Sequence, residues 1–391
     1  MLWPFSRKSW AVVSQATDQR SPSPGVRFAF RLFRELARAD ESSNVFFSPS
    51  GVMLCLTLVQ ELASGETRRT MLEALEIAGI TIPERENEIG VLKSAFRPRA
   101  GAAVAFANSL WLGTHAHIAE ELAARLRQLY ESELATLDFS GHDAVPIINA
   151  WVNTKTRGKI SKIVNQLSPL TALVAVNAVY FKGVWANPFR REWTRDGPFT
   201  TASGRPKQVP MMLQSGTYLY YGDKQLQMAA LPYTGGMSMY VVLPAAETDA
   251  RQFSRALGSA SWESWLVRSR RMEGTIQLPR FKADYDAELK PALKLLGMER
   301  AFDQSRAEFD PIRTNRPPVW IDQVIHRAVA DVNEEGTEAA AVTAVHVLGA
   351  SAMNQKPQRH FSMILNRPFL MVIRDQATKA ILFMGWIADP Q

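Results

Sequence analysis

The stretch Asn333-Glu-Glu-Gly-Thr-Glu-Ala-Ala-Ala-Val-Thr-Ala-Val-His-Val-Leu-Gly-Ala-Ser-Ala-Met-Asn-Gln-Lys-Pro-Gln-Arg-His360 decides how the chain is read. It opens as an acidic turn and closes as a polar segment containing Pro357. Between them, one set of alternate positions is Thr337, Ala339, Ala341, Thr343, Val345 and Val347, all small or β-branched and none charged. The other set, Glu338, Ala340, Val342, Ala344, His346 and Leu348, carries the charge and the imidazole. A period of two with one clean face is what a strand needs to lie against a core. Gly336, the alanine run and the polar tail suit an exposed connection equally well. A segment fit for both states is a candidate switch; an Ala-rich helix or an ordinary edge strand is the plain alternative.

Composition sets the frame. At 391 residues, with 46% apolar and 21% charged residues, the chain is globular and has ample material for a core. No apolar run approaches the roughly 18 residues of a membrane span; the longest, Val52–Val59 and Leu173–Phe181, contain Thr57 and Asn177 and read as buried core. The single cysteine, Cys55, excludes an intrachain disulfide and sits in an apolar helical stretch, where a free thiol is packing. Net charge +7 makes a glycosaminoglycan or other polyanion a candidate partner. The cations are spread along the chain, however, with one short cluster at Arg268, Arg270 and Arg271, so a solvated face accounts for most of them. Near the start, Arg7 and Lys8 precede only Trp10-Ala-Val-Val13, shorter than the roughly 7–15 residues of a signal-peptide core. No clear export signal is therefore read, which leaves the cytoplasm as an alternative setting.

The pattern along the chain predicts a flexible lead-in over residues 1–25, rich in Ser and Pro, and one α+β domain over 26–391. Apolar positions Phe30, Phe33, Leu36 and Ala37 give a first helix. A short strand, Asn44–Ser48, is stopped by Pro49; Ser50 is then expected to cap a largely apolar central helix. Leu173–Phe181 reads as a strand buried on both faces. From residue 196 onward, strands are expected at Gln208–Met212, Thr217–Tyr221, Leu226–Pro232, Ser238–Pro244 and Gly274–Phe281, with a hairpin turn at Tyr233–Gly236. Tyr285–Leu296 reads as a helix, Ile325–Asn333 as a strand running into the opening stretch, and Phe361–Ile373 and Ala380–Ile387 as closing strands.

A search for catalytic chemistry fails. There is no HExxH, no Cys/His metal spacing, no phosphate-binding or dinucleotide-binding glycine motif. Gly349-Ala-Ser-Ala-Met353 lacks the last glycine of a nucleophile elbow. Of the histidines, His115, His117, His142 and His360 have polar neighbours, while His326 lies in an apolar strand and reads as a hydrogen-bonded core residue. No cofactor, metal, nucleic acid or membrane is implied, and the chain does not read as an enzyme.

The order and spacing of six short motifs resemble the serpins over residues 26–390. These are Asn44-Val-Phe-Phe-Ser-Pro49, Asn177-Ala-Val-Tyr-Phe-Lys-Gly183 with Trp185, Leu278-Pro-Arg-Phe-Lys282, Glu334-Glu-Gly-Thr-Glu-Ala-Ala-Ala341, Asn366-Arg-Pro-Phe369 and Phe383-Met-Gly385. The resemblance implies a monomeric domain of three β-sheets and about nine helices with an exposed reactive-centre loop, here about 334–360. It implies suicide-substrate inhibition: a target serine protease attacks the loop, and the loop inserts into the central sheet while the acyl bond persists. The nucleophile belongs to the protease. Loop insertion tolerates no charged inward residue, which would cost several kcal/mol, and the six inward positions carry none. Counting as inhibitory members do, the hinge is Glu334, Gly336, Thr337, Glu338, Ala339, Ala340, Ala341 and Val342, and the reactive bond is Ala350–Ser351, with Leu348 or Met353 as fallbacks. The fourteen residues from Thr337 to Ala350 span roughly 46 Å when extended. Small Ala350 suits an elastase-like or subtilisin-like enzyme. The family assigns Ser48, Asn177 and His326 to the polar cluster under the sheet opening (the shutter) and Trp185 to the top of the sheet (the breach). Gly51 departs from the usual serine, and the segment between Ala350 and Pro368 is longer than in many relatives. The resemblance leans toward an extracellular setting. A non-inhibitory serpin acting as carrier, chaperone or polyanion binder is the alternative.

Overall fold

The computed structural model describes residues 21–39, 43–314, 319–337 and 360–391. The first half builds α1 (Pro24–Ala39), β1 (Val45–Phe47), α2 (Pro49–Glu61), α3 (Gly65–Ala74), α4 (Ile82–Ala95), β2 (Ala102–Gly113), β3 (Ala116–Ile118), α5 (Glu120–Tyr130), β4 (Glu133–Leu137), α6 (Ala144–Lys155) and β5 (Leu173–Val184). The second half is mostly β: β6 (Arg195–Thr200), β7 (Pro206–Gly222), β8 (Leu226–Pro232), β9 (Met237–Pro244), then α7 (Ala250–Ala256) and α8 (Ser259–Arg268), β10 (Arg270–Pro279) and β11 (Phe281–Glu288). The short α9 (Lys290–Leu293) precedes β12 (Ile312–Thr314), β13 (Ile321–Asn333), β14 (Gly336–Thr337), β15 (Phe361–Ile364), β16 (Phe369–Asp375) and β17 (Ile381–Ile387). Nine α-helices and three sheets among the described residues are the architecture the resemblance implies.

Five local expectations differ. The single closing strand expected over 361–373 is two, β15 paired with β10 and β16 paired with β17 and β9, separated by Pro368. The predicted lead-in ran to residue 25, whereas α1 starts at Pro24. Ser48, not Ser50, caps α2: its side chain accepts from the Gly51 N–H, and Pro49 occupies the first turn, where its missing N–H costs nothing. The two strands expected at 208–212 and 217–221 are one strand, β7, long enough to pair with β6 and β8 at its two ends and with β10 along its length. Residues 285–288, expected to start the helix Tyr285–Leu296, instead complete the strand β11. Tyr285, Leu289, Ala292, Leu293 and Leu296 fall at helical spacing, but Phe281 and Ala283 also alternate inward, and pairing with β13 along its whole length decides for the strand.

The six-stranded sheet runs β11-β13-β14-β5-β2-β4, and the nine-stranded sheet runs β1-β17-β16-β9-β8-β7-β10-β15 with β6 on β7. In the six-stranded sheet β5 and β13 are parallel neighbours through most of their length, with Asn177 directly opposite His326. Alternation sorts their side chains. Leu173, Ala175, Val179 and Phe181 of β5 enter the main core with α2, whereas Val174, Val176, Ala178 and Tyr180 enter a smaller core beneath α6. The two helices therefore cover opposite faces of the same sheet.

Candidate functional site: the seam between β5 and β13

Two clusters lie along this seam, one at its middle and one at its end. In the middle, α2 points its N-terminus at the sheet. The Ser48 backbone N–H donates to His326 Nε2 at 3.0 Å, and His326 Nδ1 bonds Asn177 Oδ1 at 2.8 Å. All three residues are buried. The main-chain donor settles the tautomer: Nε2 must carry the lone pair, so the proton sits on Nδ1 and Asn177 must present its oxygen. Burial pushes the His326 pKa down to about 3, so the ring stays neutral across the physiological range. The same arrangement leaves Asn177 Nδ2 buried with no hydrogen-bond partner. Gly51 is beside it: a Cβ there would lie 2.8 Å from Asn177 Oδ1 and 3.0 Å from Ser48 Oγ. Glycine thus makes room for the Asn177 amide against the helix backbone, and no side chain from position 51 can serve Nδ2.

At the end of the seam, β13 turns at Glu334 and Glu335 and comes back as β14. Gly336 and Thr337 pair with Asn333 and Val332 of β13 on one side and with Val184 and Gly183 of β5 on the other. Thr337 is fully buried. Gly336 has φ 151°, and a Cβ there would overlap the Gly183 carbonyl oxygen, so only glycine fits. Thr337 Oγ1 bonds the Tyr233 hydroxyl at 2.9 Å, and the Tyr233 ring stacks on Trp185 with centroids 4.2 Å apart. Burial raises the Tyr233 pKa, which keeps its hydroxyl protonated and able to donate. Trp185 Nε1 donates to the Asn333 carbonyl at 2.9 Å. The turn itself is clamped: Glu334 accepts from Thr194 Oγ1 at 2.8 Å and pairs with Arg280 at 3.1 Å, while Glu335 pairs with Arg191 at 2.6 Å.

The structure therefore brings Ser48, Asn177 and His326 into one hydrogen-bonded group, and Glu334, Gly336, Thr337 and Trp185 into another. Hinge positions Glu338, Ala339, Ala340, Ala341 and Val342, and Leu348, Ala350, Ser351 and Met353, lie outside the described residues. Sequence reading missed Tyr233, which it placed in a hairpin turn, and also Thr194 and Arg280. The turn signal at Thr234-Gly-Gly236 was correct, but no spacing rule connects Tyr233 to a threonine 104 residues away. Among the described residues no group of His, Cys, Asp or Glu is arranged to hold a metal, and no helix is long and apolar enough to cross a membrane. Burial pushes the Cys55 thiol up to about 12, which removes it as a nucleophile.

This chain belongs to the serpin family: the family model for serpin (serine protease inhibitor) matches residues 25–390. Human serpin B11 is 31% identical over 390 residues, covering 93% of this chain and 98% of that protein. Bovine leukocyte elastase inhibitor is 32% identical over 380 residues, covering 93% and 98%. Among solved structures, native tengpin, a thermophilic serpin, superposes with a TM-score of 0.86 at 25% identity, covering 94% of this chain and 93% of tengpin. Human thyroxine-binding globulin with its hormone gives 0.83 at 26% identity, covering 94% and 98%. Native protease nexin-1 with heparin gives 0.81 at 27% identity, covering 94% and 98%.

Proposed function

We propose that this serpin inhibits serine proteases as a suicide substrate: the target cleaves the 334–360 loop, and the loop then inserts between β5 and β13. The supporting observation is the seating of Gly336 and Thr337 between those strands. Strand pairing advances one residue per step. Continuing the same register, Thr343 comes level with Asn177 on β5 and His326 on β13, six residues along each strand from Thr337, Gly183 and Val332. Insertion replaces the Asn177–His326 contact with a strand whose inward residue at that level is a small hydroxyl, which can serve the unpartnered Asn177 Nδ2. The remaining inward positions, Ala339, Ala341, Val345 and Val347, carry no charge into the core. With the reactive bond at Ala350–Ser351, the target is elastase-like or subtilisin-like.

The second reading, a non-inhibitory carrier, draws on the likeness to thyroxine-binding globulin. A polyanion remains a candidate partner through Arg270 and Arg271, which stand exposed at the start of β10, with Arg268 stacked over Tyr221 at 4.6 Å. Incubation with neutrophil-type elastase separates inhibitor from carrier. An inhibitor gives an SDS-resistant complex of the combined mass, and Thr337→Arg abolishes it while the loop is still cut. Cleavage without complex in the wild-type chain contradicts inhibition, and complex formation by Thr337→Arg contradicts insertion.

A further inference from the structure

Away from the seam, a cleft of about 650 Å³ lies between the first half of β11, the start of β1, the turn joining β6 to β7 and the residues that follow β17. Its volume falls inside the roughly 300–1,000 Å³ of small-ligand sites. Part of the lining is apolar: Phe46 and Ala283 are buried, and Tyr285 is half-buried beside them. The walls are fixed before any ligand arrives. Asn44 Nδ2 donates to the Asp389 carbonyl at 2.7 Å, and Asn44 Oδ1 accepts from the Ala388 and Asp389 N–H groups at 2.7 and 2.8 Å. The Lys282 N–H donates to the Gln391 main-chain oxygen at 2.9 Å, and Thr201 Oγ1 accepts from the Arg205 N–H at 3.2 Å across the turn.

Four charged side chains line the cleft, and they cancel: Arg205 and Lys282 against Asp284 and Asp389. Their own partners differ, however. Both oxygens of Asp284 accept from Arg327 at 3.0 Å, and Asp389 pairs with Lys207, so each carboxylate is balanced from outside the lining. The Arg205 guanidinium makes one bond, from Nε to Ser203 Oγ at 3.2 Å, and Lys282 reaches Asp284 only at 3.8 Å. Guanidinium and ammonium N–H groups are thus left to donate into the cleft from two different walls, while the carboxylates keep lone pairs that can accept. A compact anion would meet two carboxylates in the same hollow. A neutral polyhydroxyl ligand meets no such repulsion: its oxygens accept from the two cations, and its hydroxyls donate to Asp284 and Asp389.

We propose that this cleft binds a neutral oligosaccharide, whose oxygens bridge Arg205 and Lys282 and whose apolar ring face lies toward Tyr285. The site is separate from the seam and does not depend on protease inhibition. The test is isothermal titration of the full chain with maltotriose, cellotriose and N,N′-diacetylchitobiose, with inorganic phosphate and pyrophosphate in parallel. Saturable one-to-one binding of at least one saccharide is expected. It should change little between low and high salt, because a neutral ligand has no charge to screen. Arg205→Gln and Lys282→Gln should each weaken it about ten-fold by removing a charged donor. Both side chains are exposed, so neither change should lower the thermal unfolding midpoint. No binding by any of the three saccharides would overturn the proposal, as would saccharide binding that both variants leave unchanged. Saturation by phosphate or pyrophosphate, lost in both variants and at high salt, would overturn it in favour of an anion site.

Discussion

Two helices cover opposite faces of the same sheet, and they do so very differently. On α2 every residue from Pro49 to Gln60 is buried, and its neighbours come from both large sheets. On α6 only Ala144, Ile148 and Val152 are buried, one residue per turn, over a core confined to the outer face of β2, β5 and β13. Trp151 lies half-buried at its edge, edge-on to Trp111 at 5.8 Å, with its indole N–H unpartnered. The α2 face is a permanent core. The α6 face is a thin cover over the seam that the proposed insertion must widen, and the segment after α6 is held to β13 where Arg327 bonds the Lys162 carbonyl at 2.6 Å. A sheet that is to accept another strand needs this asymmetry: one face to hold the fold, and one that can shift.

The sharpest way to break the comparison is to truncate one buried apolar residue on each side. Leu54→Ala, in the middle of α2, should cost about 2–5 kcal/mol in denaturant unfolding. The polar group at the α2 N-terminus makes a further, pH-dependent demand. The neutral His326 ring is stabilised by folding, since its pKa falls from about 6.5 when unfolded to about 3 when folded. Its contribution is complete above about pH 6.5 and is lost as the pH falls, by up to about 1.4 kcal/mol per unit, because the unfolded chain then binds the extra proton. Unfolding free energy followed from pH 7.5 to 4.5 should show this slope, and His326→Gln should flatten it. The smallest effect is expected on the outer face. Val152→Ala should cost about 1–2 kcal/mol, since α6 can settle after losing two methyl groups. It should also speed complex formation with the target protease. A Val152→Ala loss equal to that of Leu54→Ala would erase the distinction between the two faces.

Much of this could be read from the residues, for physical reasons that also explain the failures. β5 announces itself because a strand buried on both faces has to be apolar at nearly every position, which also makes Asn177 conspicuous. His326 stands out against Ile325 and Ala328 in the same way. β11 does not, because an edge strand keeps charges such as Asp284 and Asp286 on its outer side, and its few apolar residues fit two periods at once. The Tyr233–Thr337 bond and the Glu334–Arg280 pair join residues that only the folded sheets bring together. Gly336 is different again. Glycine in an acidic turn is unremarkable as sequence, and only the Gly183 carbonyl pressed against it shows why no other residue fits.

The central claim is that the chain stores a strand outside its six-stranded sheet and that cutting the loop lets it in. It is tested most directly by comparing the thermal unfolding of intact protein with protein whose 334–360 loop has been nicked by a protease that cuts it without being trapped. Insertion buries four further inward side chains, Ala339, Ala341, Val345 and Val347, together with Thr343 and new backbone pairing. That is worth several kcal/mol, on the order of a 10 °C rise in midpoint. A nicked chain that unfolds at or below the temperature of the intact one would contradict the account.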